Sequence, residues 1–351
     1  MKRIAFIVLW CVLLGLVLAG AGTAVYVASA LKPTEASGDQ EVRISIPAGF
    51  GSGQIARLLE SSGLIRDAKV FRYYLIYKKE GARFQAGDYM MTKGMELDDI
   101  IRKLNDGDTV KDETLRFTIP EGYSVMQVAD KLEEQPGFDR NAFLQLVNSK
   151  DEFAAVKWVS DIPDDPRIKT RLEGYLFPET YEMKLDSTTK DMVLRMAGEL
   201  DKKLAGLPAD WQDKLKMRGL TFHQMMTIAS MIEREVVDDE ERPLVASVIY
   251  NRMKIGMKLQ LDATVQYVLD KPKERLFEKD LLIDSPYNTY KVAGLPPGPI
   301  ASPSLKSIEA VLYPAESKFL FYVTKSDGSQ KHNFAETYEQ HLKNIADSKK
   351  R

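Results

Sequence analysis

The chain of 351 residues has one cysteine, Cys11, and three histidines, His223, His332 and His341. A lone thiol closes no intramolecular disulfide, and because Cys11 lies in an apolar run, thiol chemistry is excluded from everything after it. No two histidines stand at the helical spacing of a metal site, which argues against a zinc hydrolase, and no cofactor is expected. Excess charge is lacking too. With 49 Lys and Arg against 51 Asp and Glu, the net charge is −2, and nothing in it attracts nucleic acid.

Charge is missing altogether from Ile4 to Leu31. A helix needs about 20 apolar residues to cross a hydrocarbon core of roughly 30 Å, so residues 4–31 are predicted to form a transmembrane helix. A cleaved signal sequence would suit Ala28-Ser29-Ala30, but its apolar region is about 7–15 residues, shorter than this run. Trp10 beside Cys11 argues against a lipoprotein attachment site. Lys2 and Arg3 then place residues 1–3 in the cytoplasm and the bulk of the chain outside, in a single-pass arrangement.

Residues 32–41 are small and polar, as in a short linker. A repeat follows: RISIPAGFGSGQIARLLE from Arg43 aligns without a gap to RFTIPEGYSVMQVADKLE from Arg116. Each copy reads as a short alternating strand, a Pro-x-Gly turn and a helix. The predicted organisation is a β–α module over 42–113, a second β–α unit over 114–170 and a main domain over 171–348. The expected class is α+β, with a mainly helical main domain and a few strands. The stretch SPYNTYKVAGLPPGPIASPS, Ser285–Ser304, is too long and aromatic for an idle connection. It is expected to cover a bound ligand, although GLPPGPI also suits a rigid turn.

Thr221 and Gln224 have capping-box spacing, and the apolar residues Met225, Ile228, Ala229, Ile232 and Val236 then recur at helical period. Glu233 has Ala229, Ser230, Val236 and Val237 at its helical neighbour positions, an apolar setting that would raise its pKa and suit a general acid. Glu235 falls next to Asp238 and Asp239, in an acidic run ending at Glu241 that reads as a solvated turn. Pro243 suits the first turn of a second helix, which Gly256 can end. Asp262 could cap the helix after it, and His332 shows no partner nearby in sequence.

The motifs LEGYLFPETY (172–181), ASMIEREV (229–236), VASVIYNRMKIGMKLQLDATVQY (245–267), YNTY (287–290), GLPPGPI (294–300) and HNFAETYEQH (332–341) resemble the YceG/MltG family of endolytic murein transglycosylases. The resemblance implies a bacterial inner-membrane lyase with a LysM-like β–α module. Such a lyase cuts the MurNAc–GlcNAc bond of nascent peptidoglycan, leaves 1,6-anhydroMurNAc ends and terminates strand elongation, with penicillin-binding synthases as partners. The family's catalytic glutamate is carried onto Glu233, and its cleft residues onto Gln260, Asp262, Tyr287, Asn288 and Tyr290. Val236 and Ser304 depart from the family pattern and put local loop geometry in question. Two other readings stay open: a muramidase in which Glu235 or Asp262 supplies a second carboxylate, and an inert cell-wall-binding anchor.

Overall fold

A computed structural model describes residues 2–35, 40–110, 113–153, 156–269 and 273–348. Helix α1 (Lys2–Ala30) contains an 18-residue window, Leu13–Ala30, of mean hydropathy 1.8, long and apolar enough to cross a membrane. Among its described side chains, Phe6, Trp10, Leu14, Leu16, Val17, Leu18 and Val25 point outward, away from the rest of the protein. Of the expected linker, residues 36–39 lie outside the described residues. The part before them is docked: the Thr34 hydroxyl lies 2.8 and 2.7 Å from the carbonyls of Gly63 and Lys93, and Arg66 donates to the Pro33 carbonyl at 2.9 Å.

The chain forms two compact units, Met1–Asp112 and Glu113–Arg351. In the first, β1 (Glu41–Ile46) is followed by α2 (Ser52–Ser61), α3 (Ala68–Lys78), β2 (Gly87–Thr92) and α4 (Leu97–Asp106). β1 and β2 pair antiparallel with Ile44 opposite Tyr89. Alternation along β1 buries Ile44 and Ile46, which join Ile55, Leu59, Phe71 and Tyr89 in a core of their own.

The second unit begins with the other copy of the repeat, β3 (Thr114–Thr118) and α5 (Val125–Leu132). The likeness is physical as well as textual. Gln54 and Gln127 occupy the same place in the two copies, and each accepts the backbone N–H three residues before it, at 3.0 and 2.9 Å. The expected separate unit over 114–170 does not close on itself, however. β3 pairs with β4 (Thr180–Lys184), beyond the expected boundary, and Phe117 and Val128 share one core with Leu172, Met196 and Met225. A β–α piece this small has too little apolar surface to bury alone.

The rest is mostly helical: α6 (Arg140–Leu146), α7 (Thr189–Leu204), α8 (Trp211–Met217), α9 (Phe222–Glu235), α10 (Arg242–Lys254), α11 (Asp262–Val268) and α12 (Leu305–Leu312). A hairpin of β5 (Phe321–Thr324) and β6 (His332–Ala335) and the final helix α13 (Tyr338–Ser348) complete it. Gly174 shows why the main-domain motifs interlock. It has φ +80°, and a Cβ there would lie 2.5 Å from the ring of Pro299, so only glycine lets LEGYLF seat against GLPPGPI.

Candidate active site

The core of the second unit forms around α9. Its start is the expected capping box: the Thr221 N–H donates to Gln224 Oε1 at 2.9 Å, and the Gln224 N–H to Thr221 Oγ1 at 3.2 Å. Met225, Ile228, Ala229 and Ile232 are fully buried. The helix ends at Glu235 because Val236 turns to extended backbone, φ −122° and ψ 131°. Stacking at three and four residues holds only while a helix continues. The last turn therefore escapes the neighbours that periodicity assigned to it, and both glutamates change character.

Glu233 does not sit in an apolar setting. Its side chain is 6% exposed and faces Arg242, equally buried, at 3.1 Å. The same carboxylate oxygen accepts the Ser304 N–H at 2.8 Å, the Ser304 hydroxyl at 2.5 Å and the Ser307 hydroxyl at 2.8 Å. Ser304, flagged in sequence as a departure, is thus both the cap of α12 and a donor to Glu233. A carboxylate this fully satisfied, against a buried guanidinium, clamps α9, α10 and α12 together.

Glu235 points away from this clamp, since two residues turn a helix by roughly 200°. Tyr322 on β5 donates to its carboxylate at 2.9 Å. Burial pushes the Glu235 carboxyl above the ordinary carboxylate range, the negative charge of Asp262 pushes it further, and the Tyr322 hydrogen bond opposes both. The expected solvated turn is only partly solvated as well. Glu241 is buried and accepts from the backbone N–H of His332 at 2.9 Å, and lies 2.6 Å from its Nδ1, so His332 does have a partner.

Two of the expected cleft residues, Asp262 and Tyr290, lie near Glu235. Asp262 opens α11 with no side-chain capping bond; its carboxylate instead accepts the Tyr290 hydroxyl at 2.5 Å. Burial, then that bond and the charge of Asp262, raise the Tyr290 hydroxyl, which stays protonated and donating. Gln260 stands exposed just before α11 with φ +50°, a left-handed conformation rare outside glycine. Its N–H donates to the Thr289 carbonyl at 3.2 Å, which draws this corner against the Ser285–Ser304 loop.

Tyr287 and Asn288 take another part. Asn288 is completely buried, donates its amide to the carbonyls of Leu281 and Ile283 at 2.9 and 2.8 Å, and accepts the Tyr290 N–H at 3.0 Å. Tyr287 is 2% exposed, packs on Tyr267 and accepts the Lys169 N–H through its hydroxyl at 3.2 Å. Neither presents a polar group to a sugar; they brace the loop that carries Tyr290. The loop is pinned along its length: Pro297 O lies 2.9 Å from His223 Nε2, and the Ile300 N–H donates to Ser230 Oγ at 3.0 Å. Burial lowers the His223 pKa, so the ring is neutral; it donates to Pro297 and accepts at Nδ1 from Tyr175.

Tyr322 escaped sequence reasoning because it stands 87 residues from Glu235 on a four-residue strand, and no local pattern joins the two. Glu173 was missed as well. Within LEGYLFPETY it is 2% exposed, accepts the Val125 N–H at 2.9 Å, and is pushed up to about 7 by burial.

A largely buried carboxyl raised above its ordinary range, with the charge of a second carboxylate acting on it, is an arrangement suited to acid–base chemistry. Comparison with known proteins is more specific. Residues 44–347 match the model of the YceG-like family. A protein of Bacillus subtilis (strain 168) named endolytic murein transglycosylase is 36% identical over 330 residues, 92% of this chain and 89% of that one. One of the same name from Streptococcus pneumoniae serotype 2 (strain D39) is 32% identical over 365 residues, 98% of this chain and 65% of that one. A solved YceG-like protein of Listeria monocytogenes has a TM-score of 0.59 at 34% identity, covering 88% of this chain and 99% of that one. The chain belongs to the YceG-like family.

Proposed function

We propose that the chain is a membrane-anchored endolytic murein transglycosylase whose general acid and base is Glu235. The observation that carries the assignment is the setting of its carboxyl: raised by burial and by Asp262, and bonded by Tyr322 as the one side-chain donor among the described residues. Glu233, the residue favoured by sequence, is held by a guanidinium and three further donors, which suits a clamp better than a proton carrier. The names of the relatives supply the substrate.

Protonated Glu235 gives its proton to the glycosidic oxygen as the bond from C1 of MurNAc breaks and positive charge develops on the sugar. Asp262, fixed by Tyr290, offers negative charge to that cation. The Glu235 carboxylate then takes the proton of the C6 hydroxyl, whose oxygen closes on C1 as a 1,6-anhydro ring. One carboxylate acts twice, and no water is consumed.

The βααβ order of β1, α2, α3 and β2, with antiparallel strands, supports the LysM-like, glycan-binding reading of the first unit. With α1 in the bacterial inner membrane and the bulk outside, the enzyme would meet strands as penicillin-binding synthases extend them, and its cuts would end elongation. The second carboxylate keeps one other reading in play, a muramidase in which Asp262 activates water. Digestion of peptidoglycan in heavy-oxygen water separates the two. Unlabelled ends about 18 Da lighter than hydrolysed ones are expected, and one heavy oxygen per cut would instead establish hydrolysis.

A further inference from the structure

We infer that α3 is a second membrane contact, an interfacial helix whose exposed face lies on the bilayer from which α1 emerges and takes anionic lipid headgroups. The inference rests on reading α1 as a membrane span. The apolar window of α1 ends at Ala30, and Tyr26 stands about one turn before it, at the interfacial end of the span, where tyrosine side chains sit. There the Tyr26 hydroxyl donates to Asp67 Oδ2 at 2.5 Å. Asp67 is the cap of α3, its other oxygen accepting the Val70 N–H at 2.8 Å. Next to it, Arg66 donates to the carbonyls of Pro33 and Thr34 at 2.9 and 3.3 Å. The start of α3 is therefore fastened to the membrane-exit end of α1 on both sides of Ala30.

The faces of α3 differ sharply. Ala68, Phe71 and Leu75 enter the core of the first unit, while Tyr73, Ile76 and Tyr77 are 74%, 70% and 81% exposed, on the opposite arc with Lys69 and Arg72. An exposed aromatic cluster costs hydration in water but suits the interface, where tyrosine rings sit between hydrocarbon and headgroups. Arg57, Lys69 and Arg72 line a cavity of about 390 Å³ next to this face. Its carboxylates are already engaged: Asp67 by Tyr26 and Val70, Glu60 by the Ala68 N–H at 3.0 Å. Arg57, Lys69 and Arg72 form no ion pair among the described residues, which leaves three cations for lipid phosphate at the level where phosphate would stand.

The test uses the full-length chain with Cys11→Ser, in nanodiscs containing phosphatidylglycerol, with single spin-labelled cysteines at Tyr73, Ile76 and Tyr77. Val17, in α1, serves as the span control, and Arg102, on the outer face of α4, as the water control. Relaxation by oxygen, which partitions into lipid, is compared with relaxation by a water-soluble nickel chelate. A several-fold oxygen preference over the Arg102 label is expected at all three α3 positions. It should shrink when Arg57, Lys69 and Arg72 are changed together to glutamine, and in discs of neutral lipid alone. Labels at 73, 76 and 77 that match Arg102 while Val17 reports lipid would overturn the α3 contact and leave the span intact; an aqueous Val17 would overturn both. Protection of the α3 labels from both relaxants would mean that protein, not lipid, covers the face. An oxygen preference indifferent to the three substitutions would remove the headgroup site.

Discussion

Glu233 and Glu235 stand two residues apart on one helix and live in opposite electrostatic regimes. Glu233 is taken out of water but given a guanidinium and three donors, so its hydration has been replaced with a set of fixed partners. Glu235 is taken out of water next to another carboxylate and given only neutral donors, the Tyr322 hydroxyl and the Ala263 N–H, so burial tells against its charge. Burial alone therefore says little about a carboxylate. What decides between clamp and acid is which charges come with it.

The largest effect that separates the two should come from Glu235→Gln. Steady-state cleavage of purified glycan is expected to fall about a thousandfold, the usual worth of a lost general acid–base group, with the melting temperature nearly unchanged. Glu233→Gln should show the reverse. Arg242 keeps Asp239 at 3.0 Å but loses its one buried carboxylate, which is expected to cost about 3 kcal/mol in denaturant unfolding, while activity per folded molecule stays within about tenfold. Changing Glu233 and Arg242 together to methionine should recover much of that loss, because the pair is removed with its desolvation cost. If Glu233→Gln instead abolishes cleavage in a stably folded protein, the roles are exchanged.

A third buried carboxyl extends the comparison to stability. Glu173 has a folded pKa of about 7, above its ordinary 4.5, so folding favours its protonated form. Its contribution is fully present below pH 4.5 and is lost as pH rises to about 7 and beyond, on the order of a few kcal/mol. Melting followed across that window should show the decline in the parent, and a flatter curve for Glu173→Gln.

The smallest effects should sharpen the account of Glu235 itself. In the proposed mechanism cleavage uses its protonated form, so activity should fall as pH rises through its pKa. Tyr322 lowers that pKa and Asp262 raises it. Tyr322→Phe should move the alkaline limb of the pH–rate profile upward, and Asp262→Asn should move it downward. Shifts of the same sign in both variants would rule out this arrangement.

Much of this protein could be read along the chain because much of it is governed by near neighbours. The charge gap of α1, the repeat with its matched Gln54 and Gln127, the Thr221–Gln224 cap and the helical period of α9 all depend on residues a few positions apart. The family resemblance rests on the same local runs. The reading failed where a helix stopped. Val236 leaves helical backbone, so neighbours counted three and four ahead of Glu233 and Glu235 are not where the period puts them. Asn288 and Tyr287 look like sugar-binding residues in a loop, yet the loop folds inward and spends their polar groups on its own carbonyls and on Lys169.

The sequence by itself determined that there is an apolar helix long enough to span a membrane, a repeated strand–turn–helix and a glutamate-bearing helix within a recognisable set of motifs. Only the tertiary structure decided which glutamate is the clamp and which has the setting of an acid. Arg242, nine residues on, and Ser304 and Ser307, more than seventy on, converge on Glu233, while Tyr322 reaches Glu235 from 87 residues away. Hydrogen bonding and the field at a carboxylate act over a few ångströms of space, and distance along the chain carries no information about that separation once the backbone turns.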